Sequence, residues 1–291
     1  MASYDIVMIG HVSNDIIVDR GVESRFLGGA VVHSSASAKR SGAKVFVLTK
    51  AAPEDTDVRR FFETEGTDVR IVPSRSSTSI RNVYESEDRD RRTVTLLSLA
   101  DPFVASELVG LEAKIFHLAG LFVGEIPDSF IDLLKGRGDV ALDVQGVVRS
   151  SEGGELRFRD WAAKKDCLPS VTYLKTDAAE AEILTRTSDR ERAAHMLRDL
   201  GAREVMITHS SEVIVFDGER IHRAPFTSAN LSGRTGRGDT CFASYLAWRL
   251  HHSAEESVIY AAALTSIKME TPGPFSGSID AVKGRIRGAK G

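Results

Sequence analysis

Cysteine is scarce in this chain. Cys167 and Cys241 are the only two thiols in 291 residues, and they form no Cys-x-x-Cys pair. That excludes a disulfide framework and suits a reduced, cytoplasmic setting in which both thiols are small core residues. Long apolar runs are missing as well. Nowhere do about 18 apolar residues follow one another, so no membrane span is expected. The opening "MASYDIVMIGHVSND" has no basic leader and reads as a strand rather than a signal peptide. Neither sign of charge dominates: 38 Lys and Arg stand against 41 Asp and Glu, a formal net charge of -3. Nothing there calls for nucleic acid or an anionic membrane as partner. His, Cys and Asp never fall at zinc-ligand spacing. Internal repeats and low-complexity tracts are absent.

What is present is an alternation. "YDIVMIG" is a β-branched run ending at a glycine, and "GGAVVHSSASAKRSG" follows with helical spacing between glycines. "KVFVLTK" reads as a second strand, and "PEDTDVRRFFETEG" as a helix that starts with proline and acids and stops at Gly66. "DVRIV" is the next strand. The rhythm then breaks: "STSIRNVYE" and "RRTVTLLS" flank the charged turn "SEDRD" and predict a hairpin apart from the main sheet. It resumes through "KIFHLAG", "PDSFIDLLKGRG", "DVALDV", "VTYLKT", the helix "DAAEAEILTR" and "REVMITH". A second hairpin, "EVIVFDGERIHR", and two helices from about Gly238 and from Ala254 finish the chain. Strands alternating with helices imply a mostly parallel sheet covered on both faces. The expectation is one domain over residues 1–291 with a small β-rich lid from inserted segments at about 12–27 and 68–98. In such sheets ligands bind beyond the carboxyl ends of the strands, which draws attention to Asp15, Gly28, Gly29, Asp143, Asp177 and Thr208.

One turn is unusual. "SGRTGRGDTCFASYLAWRL", residues 232–250, sets three glycines and two early arginines around Asp239 and runs straight into an apolar helix. The first amides of a helix lack internal partners and favour an anion, and glycines let a ligand approach the backbone closely. The turn matches neither the P-loop pattern nor the dinucleotide-binding one. Read locally, Asp239 serves equally as a first-turn carboxylate complementing the helix dipole. An RGD adhesion role is poorer, because no secretory feature accompanies it.

The string "TGRGD", the glycine pair at 28–29 and the early Asp15 together resemble the PfkB/ribokinase family of small-molecule kinases, over almost the whole chain. The resemblance implies a ribokinase-like three-layer α/β/α fold with a mostly parallel central sheet and a β-rich lid. It implies that Asp239 is the catalytic base and that Gly236, Arg237 and Gly238, after Thr235, form the anion hole. A sugar hydroxyl is a poor nucleophile at neutral pH, so a carboxylate in reach of its proton is required, and fixed amides suit the charge of a transferring phosphoryl group. Two departures from the family pattern D-T-x-G-A-G-D matter, in the stretch Gly233-Arg234-Thr235-Gly236-Arg237-Gly238-Asp239. Gly233 replaces the leading aspartate, associated in many members with a monovalent cation, which puts a potassium requirement in doubt. Arg237 replaces a small residue.

The same resemblance places the other candidates. "LKTDAAEAEIL" is similar to the family's N-x-x-E motif, which implies that Glu180, with Asp177, organises Mg²⁺ through water. The same spacing also makes a helix capping box, and the two roles are compatible. ATP is implied as donor, with Thr208, Thr235, Ala262, Ser266 and Gly273 on the nucleotide side. Thr208 at a strand end and an alanine-rich helix also have ordinary structural readings. Asp15, Gly28, Gly29, His33, Asp143, Gln145 and Arg149 are implied on the acceptor side, His33 standing where the family often has asparagine. "LDVQGVVR", "IGHVSND", "ADPF" and "RDW" most resemble an inositol-kinase-like branch. The expected activity is ATP- and Mg²⁺-dependent phosphorylation of a small sugar or cyclitol, with myo-inositol the leading candidate. Alternatives are a nucleoside kinase and a catalytically silent sugar-sensing protein on the same fold. Exposed lid strands also suggest a homodimer.

Overall fold

The computed structural model describes residues 4–84 and 93–288. Its first element, β1 (Tyr4–Ile9), shows why the chain folds as layers. Ile6 and Met8 enter one core while Val7 and Ile9 enter another, because successive strand side chains leave opposite faces. A strand apolar on both faces must lie inside a sheet covered on both sides.

After β1 the chain leaves the sheet for an antiparallel pair, β2 (Ser13–Asp19) and β3 (Val22–Gly28). It returns through α1 (Ala30–Arg40) to β4 (Val45–Ala51), then α2 (Thr56–Glu65) and β5 (Asp68–Pro73). A second excursion forms β6 (Ser79–Tyr84) and β7 (Thr93–Ser98), and β8 (Ala113–Leu118), α3 (Ser129–Leu134) and β9 (Asp139–Asp143) resume the alternation. A short helix α4 (Gln145–Val148) leads to a third excursion, β10 (Arg149–Glu152) and β11 (Glu155–Phe158). Then come α5 (Lys164–Cys167), β12 (Tyr173–Asp177), α6 (Ala178–Thr185), α7 (Arg190–Asp199), β13 (Glu204–Thr208), β14 (Glu212–Phe216) and β15 (Ile221–Pro225). Three helices end the fold: α8 (Arg237–Arg249), α9 (Ala254–Met269) and α10 (Ile279–Gly288).

The main sheet has nine strands in the order β15-β14-β13-β12-β9-β8-β1-β4-β5, with β14 antiparallel to both its neighbours and all other pairs parallel. From β1 the chain first builds outward through β4 and β5, then crosses to β8 on the other side. That reversal opens a crevice at the carboxyl ends of β1 and its neighbours, where ligands of open α/β sheets bind. All three excursions leave from this same end and join into a six-stranded sheet, β10-β11-β7-β6-β2-β3.

The structure departs from expectation in three places. Residues 68–73 belong to the main sheet as β5, because Val69 and Ile71 pack into one core while Val72 packs into the other; only the later part of the 68–98 segment joins the small sheet. The hairpin β10–β11 is a third contributor that the polar string "RSSEGGELRF" concealed, its Gly-Gly turn being the available signal. The expected turn "SEDRD" lies outside the described residues. Finally, α10 extends the chain past the two expected closing helices, anchored on α9 by Val282 against Tyr260 and Leu264.

Candidate active site

Several loops meet at the carboxyl end of β1. Gly28 and Gly29 pass so near the β1–β2 connection that side chains have no room. A Cβ on Gly28 would stand 2.5 Å from Asp15 Oδ2, and one on Gly29 2.6 Å from the carbonyl oxygen of His11. The glycine pair therefore seats Asp15 at the mouth of α1. Opposite, Glu125 is fully buried and accepts hydrogen bonds from the amides of His11 (2.7 Å), Leu121 (2.8 Å) and Phe122 (3.3 Å). This ties the β8–α3 loop to the end of β1. Arg149 lies across that loop, its Nε donating to Leu121 O at 2.7 Å and its guanidinium 4.5 Å from the Phe122 ring centre.

The glycine turn forms the N-terminus of α8. Gly236 is its N-cap, with φ 77° and ψ 16°, and Asp239 sits in the first turn. The first amides of a helix lack helical partners and favour an anion, although that of Arg237 donates here to Arg234 O at 3.3 Å, a long bond within the turn. Asp239 keeps an opening to solvent, yet burial of its carboxyl, with Asp143 beside it, pushes its pKa up to about 6 against the pull of Lys175, Arg149 and Lys268. A carboxylate poised near neutrality is suited to accept a proton from an alcohol. Ser34 Oγ, on α1, donates to the Asp239 carbonyl at 3.3 Å and joins the two helices below the site.

Asp177 and Glu180 form the capping box of α6: Glu180 N donates to Asp177 Oδ1 at 2.8 Å, and Asp177 N to Glu180 Oε2 at 2.9 Å. Each carboxylate thus spends one oxygen on the cap and retains another. Burial pushes Glu180 up to about 7; Lys175 draws it down, while Asp177 and Asp143 add repulsion. Four acids therefore crowd this end of the sheet, a charge excess that a hydrated divalent cation relieves. Among the described residues no group of three or more His, Cys, Asp or Glu side chains is placed to hold a metal directly. The donor set fits Mg²⁺ bound through water.

Other sequence candidates fall in varied places. Asp143 is buried and paired with Lys175, whose Nζ is 3.1 Å from both carboxylate oxygens, and Gln145 N donates to Asp143 Oδ1 at 3.1 Å. It anchors a lysine rather than standing open toward an acceptor. His33 is buried on α1 with its ring against Gly236, where an added Cβ would stand 2.3 Å from Cγ. Burial first, then Lys268, pushes its pKa down to about 3, so the ring is a neutral support under the turn. Thr208 closes β13, buried between Asp177 and Val213. Thr235 and Gly273 are exposed. Ala262 and Ser266 are fully packed inside α9, with Ser266 Oγ donating to Ala262 O and accepting from Thr227 N. Both are buried, Ala262 within the core and Ser266 under the 227–233 segment, which is fastened at the end of α9 by Met269 and Glu270 and by Arg285.

Sequence reading missed two lysines. Lys175 lies beneath the turn: a Cβ on Gly238 would stand 3.1 Å from its Nζ. Its pKa is raised, since Asp143, Glu180, Asp239 and Asp177 outweigh the burial that opposes them. Lys268, near the end of α9, is 2% exposed and donates to the carbonyls of Gly233 and Thr235. Both were signalled by position: a lysine within an apolar strand, "YLKTD", or an apolar helix, "ALTSIKM", is buried only with partners.

A profile of pfkB family carbohydrate kinases matches residues 3–281 of this chain. Comparison with curated proteins finds no match. Among solved structures, a pyrophosphate-dependent kinase in the ribokinase family, in complex with sulfate, is 40% identical, with 93% of this chain and 97% of that one covered and a TM-score of 0.88. A pyrophosphate-dependent kinase in the ribokinase family complexed with a pyrophosphate analog and myo-inositol is 37% identical, covering 96% of this chain and 99% of that one, with a TM-score of 0.88. Ribokinase of Arabidopsis thaliana, complexed with ribose and ATP, is 19% identical over 98% of this chain and 99% of that one, with a TM-score of 0.80. That last likeness is one of fold, and the fold is ribokinase-like. Among the described residues no helix is long and apolar enough to cross a membrane.

Proposed function

Because this chain belongs to the pfkB family of carbohydrate kinases, and is therefore a phosphotransferase, we propose that it transfers a phosphoryl group from inorganic pyrophosphate to one hydroxyl of a cyclitol such as myo-inositol. The observation that carries this reading is Asp239, a carboxylate pushed up to about 6 at the glycine-rich start of α8. Asp239 takes the proton of the attacking hydroxyl. That oxygen forms the new bond to phosphorus as the bond to the leaving phosphate breaks, and the amides of residues 236–238 meet the charge on the transferring group. Asp177 and Glu180 would hold Mg²⁺ through water, and the ion supplies neutralisation of the donor's charge. Asp15 is the candidate holder of acceptor hydroxyls. The small sheet is the candidate lid excluding water, and its β3 edge, with Val22 and Phe26 exposed, is a candidate pairing surface for a second copy.

Two features favour pyrophosphate over ATP, the donor expected from sequence. Relatives at 37–40% identity are described as pyrophosphate-dependent. In addition, the charges of Lys175 and Arg149 act on Asp239, a positive field that suits a compact polyanion, while Ala262 and Ser266 are buried. Turnover of myo-inositol, ribose and cytidine with each of pyrophosphate and ATP, in the presence of Mg²⁺, tests the assignment. Pyrophosphate with myo-inositol is expected to exceed every other pair by at least about tenfold, a preference of roughly 1.4 kcal/mol in transition-state binding. ATP as the better donor would reverse the donor assignment, and ribose or cytidine as the better acceptor would reverse the substrate class.

The pH profile follows from the same carboxylate. Asp239 accepts a proton only when ionised, so log(kcat/KM) is expected to fall with unit slope as pH drops below about 6. A profile flat down to about pH 4, the ordinary carboxylate range, would remove Asp239 as the base.

A further inference from the structure

Gly233, which begins the glycine turn, is pressed onto the end of α9. Its amide donates to Met269 O at 2.8 Å, and a Cβ there would stand 1.8 Å from the carbonyl oxygen of Thr271 and 2.8 Å from that of Lys268. No side chain fits, so the turn carries no acidic group of its own at this point. The same region holds the buried ammonium of Lys268, which donates to the carbonyls of Gly233 and Thr235.

We propose that Lys268 is a positioning residue for phosphoryl transfer: a tethered internal cation that grips the carbonyl side of the glycine turn and thereby aims its amides at the phosphoryl group, so that the protein needs no free monovalent cation. Peptide planarity makes the link. The Thr235 carbonyl and the Gly236 amide belong to one rigid trans unit and point in opposite directions. Holding that oxygen toward α9 turns the Gly236 N–H away from α9, outward from the turn. The Gly233 carbonyl fixes the Arg234 amide in the same way. Burying an ammonium is costly unless it is well paired. Two carbonyl dipoles and the nearby charge of Asp239 supply the pairing. Burial lowers the Lys268 pKa to about 8 and Asp239 opposes the fall, which leaves the ammonium charged at neutral pH.

The inference rests on reading the Asp239 turn as the phosphoryl-transfer site, so the test needs one readout besides turnover. Lys268→Ala and the space-filling Lys268→Met are compared with the parent in ammonium, potassium and tetramethylammonium chloride at equal ionic strength, following kcat, KM and thermal unfolding. Lys268→Ala is expected to lose about 100-fold in kcat, the scale of one misaimed oxyanion donor, with little change in acceptor KM. Ammonium or potassium, small enough for the vacated space, should restore at least about tenfold of that loss and raise its Tm by binding the folded state. Tetramethylammonium should do neither, Lys268→Met should show the loss without rescue, and the parent should not distinguish the salts. If Lys268→Ala folds only with ammonium or potassium, the positioning role is read from Lys268→Met, which must fold and lose kcat; a folded Lys268→Met with parental kcat would overturn it. Parental kcat in Lys268→Ala, a loss that no small cation relieves, or a parent that requires potassium would each overturn it. Should the parent turn over no donor–acceptor pair, the kinase reading fails, and the salt-specific Tm of Lys268→Ala still decides whether a cation is held there.

Discussion

Asp239→Asn is expected to lower kcat by about 10³-fold, within the range for removal of a positioned general base, while the acceptor binds as before. The amide has nearly the size of the carboxyl, so the first turn of α8 and the Ser34 contact to the backbone of residue 239 are undisturbed; what is lost is the capacity to accept a proton. Stability should move the other way. The folded-state pKa of Asp239 is about 6, above the ordinary carboxylate value. Between the two values the folded chain binds more protons than the unfolded one, and this group's contribution to stability falls as pH rises through that window. At neutral pH the carboxylate is therefore a burden on the fold, and asparagine relieves it. Thermal unfolding should give Asp239→Asn a Tm at or above the parent's near pH 7, with the difference shrinking as pH falls toward the ordinary carboxylate range. A variant that is inactive and more stable fits a base held against its preference. One that turns over within about tenfold of the parent leaves no place for a positioned base, whereas one that is inactive and less stable shows a structural carboxylate.

That opposition between stability and activity explains which parts of the molecule were legible in the sequence. The parallel core was legible because its strands must be apolar on both faces, as Ile6 and Val7 are. The capping box of Asp177 and Glu180 was legible because both partners lie within one turn. The small sheet was only half legible. Its strands carry polar residues on a solvent face, and "RSSEGGELRF" alternates too weakly to stand out as a hairpin. The two lysines were not read as site residues because their partners are remote in sequence: Asp143 is 32 residues from Lys175, and Gly233 is 35 from Lys268. Ala262 and Ser266 misled for a related reason. An alanine-rich helix reads the same in sequence whether its small residues line a pocket or pack, and here both are buried, with Ser266 accepting from Thr227 N 39 residues away.

Gly236→Ala should cost activity nearly as much as loss of the base, by a separate physical route. Gly236 holds φ 77°, where a side chain adds strain of about 1–3 kcal/mol. Its new Cβ would also meet the His33 ring at 2.3 Å from Cγ and 2.5 Å from Nδ1. The ring cannot retreat freely, since it is buried on α1 and α1 packs on α8, so the turn must move instead. A displaced amide row should lower kcat by about 10²–10³-fold, with a fall in Tm. The double variant Gly236→Ala/His33→Ala separates the causes. Removing the ring relieves the clash but not the φ strain, so it should return part of the stability, with a coupling energy of about 0.5–3 kcal/mol, and little of the kcat. Full recovery of kcat would mean that packing alone governs the turn. Unchanged kcat in Gly236→Ala would mean that the amides of residues 236–238 do not hold the transferring group. The expected split, stability partly regained and turnover not, requires that His33 define the space beneath the turn while the glycine conformation itself points the amides outward. The neutral state of His33 fits that role: an imidazolium beneath the turn would add charge beside Lys268, and burial holds its pKa at about 3.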